Sequence, residues 1–181
     1  AHGYYMPNGR SLKSAFLRAP IEVSRITSGF EMRYDPRSQQ WHAHKGIDYA
    51  APIGTVVRAT GDATVGFVGV QAGYGNVVIL KHRGDYTTLY AHLHEFAQGL
   101  VEGSRVAQGQ TLGTVGQTGW ATGPHLHYEF RIKDEHVDPL NAALPAATPL
   151  EAGQVGLFRA QAAPLVAQLD LLKNTTLASA E

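Results

Sequence analysis

The sequence predicts an all-β domain, a glycine-rich antiparallel β-sandwich or partly open barrel, with an N-terminal hairpin before it and a C-terminal helix after it. Between residues 23 and 140 the apolar residues come in short β-branched runs that glycine turn signals separate. Such runs occur at Thr55–Val57, Ala63–Val65, Asn76–Leu80 and Tyr86–Tyr90. Short strands with closely spaced tight turns are typical of antiparallel sheets.

The beginning of the chain carries its own turn signal. Residues 1–22 contain Pro7-Asn8-Gly9, and apolar residues follow it among basic ones. Proline, asparagine and glycine together favour a tight turn. We therefore expect a hairpin that leads into the main domain at residues 23–140.

The composition changes after residue 140. Alanine and proline dominate residues 141–153, which predicts a linker. The next apolar residues recur at the spacing of an amphipathic helix, and they are Phe158, Ala162, Leu165, Leu169 and Leu172. We expect a helix over 154–173 that Pro164 kinks or begins, and a frayed tail over 174–181. This helix could pack on the domain's own surface, or it could bind a partner or a neighbouring domain.

Composition excludes several functional classes. The 181 residues include 15 Lys and Arg, 15 Asp and Glu, and no Cys. Balanced charge without a basic run argues against a nucleic-acid partner, and no apolar run approaches the roughly 20 residues of a membrane span. Without Cys, disulfides, thiolate metal sites and Cys nucleophiles are excluded. The start at Ala1, with no signal-peptide pattern behind it, is expected of a processed or trimmed chain.

The nine histidines are unevenly distributed. Four short segments combine histidine with other potential ligands, and they are His42–Asp48, Tyr90–His94, Pro124–His127 and His136–Asp138. For the two histidines outside these segments, His2 and His82, we expect solvated or hydrogen-bonded side chains. Any metal site in this chain must use imidazoles and carboxylates.

Two of these segments are suited to a shared site. In a strand, His125 and His127 point to the same face with their Cα atoms about 6.5 Å apart, while Leu126, Tyr128 and Phe130 alternate onto the other face. His44 and Asp48 are four residues apart with Gly46 between them, which favours a bent extended segment. Positions four apart in an extended segment also share a face.

Two imidazoles and one carboxylate are a typical ligand set for catalytic zinc. Such a set leaves the fourth position for water, and imidazole favours zinc over calcium or magnesium. Zinc in this setting acidifies water and polarises a carbonyl, as amide hydrolysis requires. The remaining imidazoles, His92 and His125 among them, are candidates for a base or a transition-state stabiliser.

The chain between Val23 and Leu140 resembles the M23 (lysostaphin/LytM-type) zinc peptidases, which cut peptide cross-links in bacterial cell walls. The motifs that carry the resemblance are Ser28-Gly29-Phe30 with Arg33, His44–Thr55, Gly73–Asn76, Tyr90–Leu93, Val106–Gly116, Thr118-Gly119, Gly123–Glu129 and Val137–Pro139. They occur in the family's order. The lead, from Gly9 to Arg18, is similar to that of the murein endopeptidases of Gram-negative bacteria.

This resemblance implies a LytM-like fold and assigns roles to five residues. His44, Asp48 and His127 would bind one zinc ion per chain. His92 and His125 would be the catalytic pair, hydrogen-bonded to the water or to the developing oxyanion. Of the other histidines in the four segments, we expect His42 to be a loop residue rather than a surrogate ligand, and His94 and His136 to be cleft-rim or structural residues.

The resemblance also implies a substrate, peptidoglycan, and a location, the periplasm or outer cell envelope of a Gram-negative bacterium. We expect cleavage of the cross-link between D-Ala and meso-diaminopimelate. Arg33 is our candidate to pair with a diaminopimelate carboxylate, although a structural ion pair before His44 is an equal alternative for its role. Family members often carry a His just before the proline that follows this Arg, where the present chain has Tyr34-Asp35 before Pro36.

Three other functions share features with this sequence. Residues 101–113 resemble a turn of biotinyl and lipoyl carrier domains, but Lys81 and Lys133 lack the flanking pattern of a modifiable lysine. A catalytically inactive M23-like regulator of a wall amidase typically loses metal ligands, which are retained here. A glycyl-glycine endopeptidase would share the metal chemistry and differ in its cleft walls.

Overall fold

The computed structural model describes residues 5, 6, 8, 9, 11, 14–22, 25–35, 39–142, 144, 145 and 149–178. These residues form twelve strands and one helix. The strands are β1 (Arg25–Ser28), β2 (Met32–Asp35), β3 (Gln40–Ala43), β4 (Ile47–Ala50), β5 (Val56–Arg58), β6 (Ala63–Gln71), β7 (Gly75–His82), β8 (Tyr86–Phe96), β9 (Arg105–Val106), β10 (Thr111–Val115), β11 (His125–Ile132) and β12 (Glu135–Val137). The helix is α1 (Ala152–Ala178).

Ten strands pair into one antiparallel sheet, and β2 pairs with β3 as a separate ribbon. The sheet runs in the order β1, β4, β11, β8, β7, β6, β9, with β12 on β11, β10 on β8 and β5 on β10. Among the described residues the end strands β1 and β9 do not pair with each other, so the sheet is not closed. The predicted all-β antiparallel fold is confirmed, and the predicted runs all lie in or at the ends of strands.

Strand β11 lies between β4 and β8 and is buried on both faces. On one face, Leu126, Tyr128 and Phe130 pack into the core, as the alternation predicts. On the other face, His127 and Glu129 are buried as well. Burial of polar side chains requires hydrogen-bond partners, and those partners form the candidate site.

A second polar cluster lies in the core around the Tyr90 hydroxyl. This hydroxyl accepts a hydrogen bond from the Thr60 N–H at 3.0 Å and lies 2.9 Å from Thr60 Oγ1, and the Thr88 hydroxyl donates to it at 3.1 Å. Buried His82 has Nε2 2.8 Å from Thr88 Oγ1, and its Nδ1 lies 3.0 Å from the Asp62 carbonyl oxygen. His82 is therefore a hydrogen-bonded core residue, one of its two expected environments.

The chain divides into two compact units, one of which comprises Phe16–Leu144. Phe16 is buried in this unit and packs edge-on against His82 and Phe130, with ring centroids 4.7 and 5.0 Å away. Ile21 is buried too. These two residues lie in the predicted lead, residues 1–22, and are part of the core of the larger unit. The expected limits of the lead, the main domain and the linker stay predictions.

The other unit contains the N-terminal hairpin and α1. Tyr5 and Ser11 form a bridge around the predicted turn, in which the Gly9 N–H donates to the Met6 carbonyl. The Tyr5 ring packs edge-on against Phe158 of α1 at 5.8 Å. The predicted hairpin and helix are both present.

Helix α1 differs from its prediction in length and in its buried face. It begins at Ala152, continues across Pro164 and ends at Ala178, so part of the predicted tail is helical. Alanine and leucine are strong helix formers, and their abundance extends the helix past the proline. Leu165, predicted on the apolar face, is exposed, because the apolar residues are spread around the helix. Among the described residues no helix combines the length and apolar character that crossing a membrane requires.

Candidate metal centre

Strand pairing places the first two candidate ligands side by side. In the pairing of β11 with β4, His127 and Asp48 are directly opposite each other. His44 precedes β4 and is held by its N–H, which donates to the Glu31 carbonyl at 2.8 Å. Gly46 allows the close approach, because a Cβ there would lie 2.8 Å from His127 Cε1.

The side chains of His44, Asp48 and His127 converge on one point. His44 Nε2 lies 3.1 Å from Asp48 Oδ1 and 3.2 Å from His127 Nδ1, and Oδ1 lies 2.9 Å from Nδ1. All three residues are buried. In a tetrahedral site with bonds of 2.0–2.1 Å, neighbouring ligand atoms lie about 3.3 Å apart. The triangle of nitrogen and oxygen atoms therefore fits a zinc ion.

Hydrogen bonds on the far side of each imidazole fix which nitrogen faces this point. His44 Nδ1 donates to the Gly29 carbonyl at 2.7 Å, so Nε2 carries the lone pair. His127 Nε2 donates to Glu129 Oε1 at 3.1 Å, which leaves Nδ1 as the ligand atom. Such partners orient metal ligands and raise their basicity.

Asp48 is ionised within this cluster. Burial alone would raise the pKa of its carboxyl, but the adjacent His127 and His44 imidazoles outweigh burial and hold that pKa well below its usual range. The site thus offers one negative charge and two imidazoles. A cation is the natural counterpart of such a set.

His92 reaches the site through an irregularity in β8. The register between β7 and β8 shifts between Asn76 and Val78, which is the mark of a β-bulge, and His92 has a φ of 60°. The His92 N–H donates to the Tyr74 carbonyl at 2.9 Å, and Nδ1 donates to the Thr118 carbonyl at 2.8 Å. Its Nε2 is therefore left to act as an acceptor.

His125 lies beside His92, with ring centroids 4.6 Å apart. Its Nδ1 donates to the Gly123 carbonyl at 2.8 Å, and its Nε2 lies 3.7 Å from Asp48 Oδ1. Burial, together with the neighbouring His125 and His127, lowers the pKa of His92 to about 4. At neutral pH the His92 imidazole is uncharged and can take up a proton.

A cavity of about 300 Å³ opens onto these histidines. Its lining residues are Ala72, Gly73, Tyr74, His92, Trp120 and His127. The Trp120 side chain is 86% exposed, and the backbone N–H of Trp120 donates to the Gly73 carbonyl at 2.9 Å. The loop that carries Trp120 approaches Gly75 so closely that a Cβ on Gly75 would overlap Thr118. This contact fixes the cleft wall next to His92.

Several residues of the site have no role in the sequence analysis, Glu129 above all. Its position two residues after His127 puts it on the same face of the strand, and this alternation is the signal that could have found it. Tyr74 donates a hydrogen bond to Glu129 Oε1 at 2.6 Å. His136, expected at the cleft rim or in a structural role, lies with Nε2 3.0 Å from Glu129 Oε2.

The remaining candidate residues lie away from the triangle or outside the described side chains. His94 is exposed on β8. Arg33 and His42 pair with each other through their backbones in β2 and β3, but their side chains lie outside the described residues. His2 also lies outside the described residues.

Comparison with known proteins identifies the family. Residues 42–139 match the peptidase family M23. The chain belongs to peptidase family M23. This membership confirms the resemblance drawn from the sequence motifs, and the candidate ligands His44, Asp48 and His127 all lie within the matched residues.

Two relatives of this M23 chain are bacterial proteins whose names describe enzymes. It is 43% identical over 169 residues to the peptidoglycan DD-endopeptidase ShyC of Vibrio cholerae, covering 92% of this chain and 38% of the relative. It is 46% identical over 149 residues to the DD-carboxypeptidase/endopeptidase Mpg of Neisseria meningitidis, covering 82% of this chain and 34% of the relative. The chain thus spans less than half the length of both relatives.

A solved structure has the same fold. The crystal structure of a zinc-containing peptidase from Vibrio cholerae superposes with a TM-score of 0.69 at 36% identity, covering 78% of this chain and 46% of that protein. A similarity at this level extends to most of the M23 chain described here.

Proposed function

We propose that this chain is a zinc-dependent endopeptidase that hydrolyses the D-Ala–meso-diaminopimelate cross-link of bacterial peptidoglycan. The observation that carries the proposal is the convergence of His44 Nε2, Asp48 Oδ1 and His127 Nδ1 beside a pair of imidazoles, His92 and His125. A three-ligand metal site with adjacent proton-transfer groups is the composition that amide hydrolysis requires.

Zinc is the metal that this ligand set fits. The carboxylate and the two imidazoles would hold it through His44, Asp48 and His127, with the tautomers that the Gly29 carbonyl and Glu129 impose. When bound, zinc polarises the amide carbonyl as a Lewis acid and acidifies water.

His92 and His125 perform the proton transfers. His92 is uncharged at neutral pH and presents Nε2, so it accepts a proton from the attacking water and returns it to the leaving amine. His125, whose ring centroid lies 4.6 Å from that of His92, is the second hydrogen-bonding group for the water and the oxyanion. The carbonyls of Thr118 and Gly123 keep both rings in orientation.

The cleft walls supply substrate selectivity. The exposed Trp120 indole and the Tyr74 ring line the cavity next to His92, where they can pack against the aliphatic parts of the residues that flank the scissile bond. Arg33 remains our candidate partner for a diaminopimelate carboxylate. The name of ShyC as a DD-endopeptidase, and that of Mpg as a DD-carboxypeptidase/endopeptidase, favour this cross-link over glycine bridges.

The site of action that follows is the cell envelope, specifically the periplasm of a Gram-negative bacterium. Peptidoglycan lies there, and ShyC, which is named as a peptidoglycan DD-endopeptidase, comes from Vibrio cholerae. The location follows from the substrate.

An inactive regulator is not favoured. Regulators of this kind typically lose metal ligands, whereas here all three candidate ligands converge within 4.8 Å of one another. Zinc analysis separates the two functions, because a regulator should purify without stoichiometric metal.

The test of the proposed function combines metal content with wall digestion. We expect the purified chain to hold one zinc ion and His127→Ala to lose most of its zinc affinity. The zinc-loaded chain should release soluble fragments from cross-linked Gram-negative sacculi, and a chelator should stop the release until zinc is restored. Full zinc occupancy in His127→Ala, or digestion that a chelator does not affect, would overturn the proposal.

A further inference from the structure

A buried carboxylate lies directly behind the candidate ligand His127. Glu129 is 1% exposed, and both of its oxygens are occupied by hydrogen bonds. Oε1 accepts from the Tyr74 hydroxyl at 2.6 Å and from His127 Nε2 at 3.1 Å. Oε2 accepts from Arg131 Nε at 2.9 Å and from His136 Nε2 at 3.0 Å. Four side chains thus meet at one carboxylate.

The four partners occupy two sides of Glu129. Arg131 and His136 are partly exposed, with side-chain exposures of 21% and 22%, and they bind Oε2 from the outer side. Tyr74 and His127 bind Oε1 on the side of the cavity. A buried carboxylate is tolerated only when it is paired and fully hydrogen-bonded. Arg131 and His136 therefore stabilise the charge of a carboxylate whose other oxygen, Oε1, is directed at the candidate ligand His127.

Tyr74 links this carboxylate to the catalytic side of the cleft. Its hydroxyl donates to Glu129, its ring centroid lies 5.9 Å from that of His127, and its carbonyl accepts the N–H of His92. One residue thus contacts the carboxylate and also holds the bulge that positions His92. Tyr74 therefore supports both the candidate ligand His127, through Glu129, and the proton-transfer candidate His92.

We propose that Glu129 is a positioning residue that fixes the tautomer and orientation of His127 for zinc and, through Tyr74, holds the wall that carries His92. Glu129 itself touches neither zinc nor substrate. The inference rests on the proposed function for its link to turnover, while its effect on metal affinity is independent of the substrate. Partners of this kind typically contribute 10- to 100-fold to metal affinity.

Two variants separate the effect of the Glu129 charge from the effect of its distance to His127. Glu129→Gln keeps the shape and removes the charge, and Glu129→Asp keeps the charge and withdraws the carboxylate from His127. Glu135→Gln is the matched control, since Glu135 is an exposed carboxylate in the neighbouring strand β12. If Glu129→Gln fails to fold, Glu129→Asp still tests the contact with His127, because it withdraws the carboxylate from Nε2.

Zinc affinity is measured by competition with a chelator, so that no peptidoglycan is needed. We expect Glu129→Gln to lose 10- to 100-fold in affinity, Glu129→Asp to lose less, and Glu135→Gln to match the unmodified chain. In the zinc-loaded protein, proton NMR should show the hydrogen-bonded Nε2 proton of His127, and this resonance should shift in Glu129→Gln. A merely structural role would lower folding stability without moving this resonance.

The two proposals fail separately. If both Glu129 variants bind zinc within about twofold of Glu135→Gln, and the His127 proton resonance is unchanged, the positioning role of Glu129 is overturned. If zinc affinity falls as expected but the zinc-loaded chain leaves peptidoglycan intact, the positioning role stands and the proposed function fails.

Discussion

His127 and Asp48 face each other across paired strands β11 and β4, with Nδ1 2.9 Å from Oδ1, although 79 residues separate them in the chain. Strand register alone determines this contact. A slip of one residue would turn His127 to the opposite face. Two of the three candidate ligands are thus held in place by the pairing of β4 with β11.

His92→Ala should keep zinc and lose turnover. In the proposed function this side chain transfers protons and does not bind the metal, so we expect hydrolysis to slow by about 10²- to 10⁴-fold. Zinc content and hydrolysis rate are measured on the same preparation. His94→Ala, an exposed histidine of the same strand, is the control and should resemble the unmodified chain. Loss of zinc by His92→Ala would instead make His92 a ligand.

Gly46→Ala should disturb the ligand triangle. The added Cβ would lie 2.5 Å from the Tyr128 carbonyl oxygen and 2.8 Å from His127 Cε1, so β11 or the ring of His127 must shift. We expect a loss of about 1–3 kcal/mol in unfolding free energy, together with weaker zinc binding. Urea unfolding and chelator competition measure the two effects. Gly29→Ala has open space at its Cβ and serves as the control; equal behaviour of the two variants would contradict the packing argument.

Acidification should destabilise the fold through His82. Burial lowers the pKa of His82 below its usual 6.5, so the unfolded chain binds the proton more readily than the folded chain. The stabilisation from neutral His82 is present above pH 6.5 and is lost as the pH falls from 6.5 toward the lowered pKa. Urea unfolding with chelator, at pH 7.5 and pH 5, should show a smaller loss for His82→Gln than for the unmodified chain. If both proteins lost the same unfolding free energy between pH 7.5 and pH 5, His82 would not contribute to the acid sensitivity.

Trp120→Ala should weaken substrate binding more than catalysis. The indole lines the cavity beside His92 but has no place in the ligand or proton-transfer groups. An aromatic contact worth about 0.5–1.5 kcal/mol predicts a rise in KM of about two- to tenfold, with kcat nearly unchanged. Val70→Ala, which also removes an exposed apolar side chain, is the control. An unchanged KM would place the substrate elsewhere on the surface.

The sequence predicted those parts of the site that depend on regular alternation. His125 and His127 on one face, Leu126 and Tyr128 on the other, and the extended geometry of His44 and Asp48 all follow from a period of two. The sheet and its glycine turns were predictable for the same reason. The assignment of ligands among nine histidines came from the family's motifs.

Irregular geometry was not predictable. The bulge that turns His92 toward the site depends on pairing between β7 and β8, and its φ of 60° is rare outside glycine. The role of Glu129 depends on four partners, among them Tyr74 and His136, which distant strands bring together. Helix α1 is longer than predicted because the alanines around Pro164 favour the helix more strongly than the proline opposes it.

Digestion of a purified peptide-cross-linked muropeptide dimer tests the central claim most directly. The dimer carries a single D-Ala–meso-diaminopimelate bond, and mass spectrometry follows its conversion after incubation with the zinc-loaded chain, the chelated chain and zinc-loaded His92→Ala. We predict monomers with the zinc-loaded chain alone, and an intact pentaglycine peptide in a parallel reaction. An untouched dimer alongside rapid cleavage of pentaglycine would contradict the proposed substrate, and equal monomer yields from the zinc-loaded and chelated chains would contradict the role of zinc.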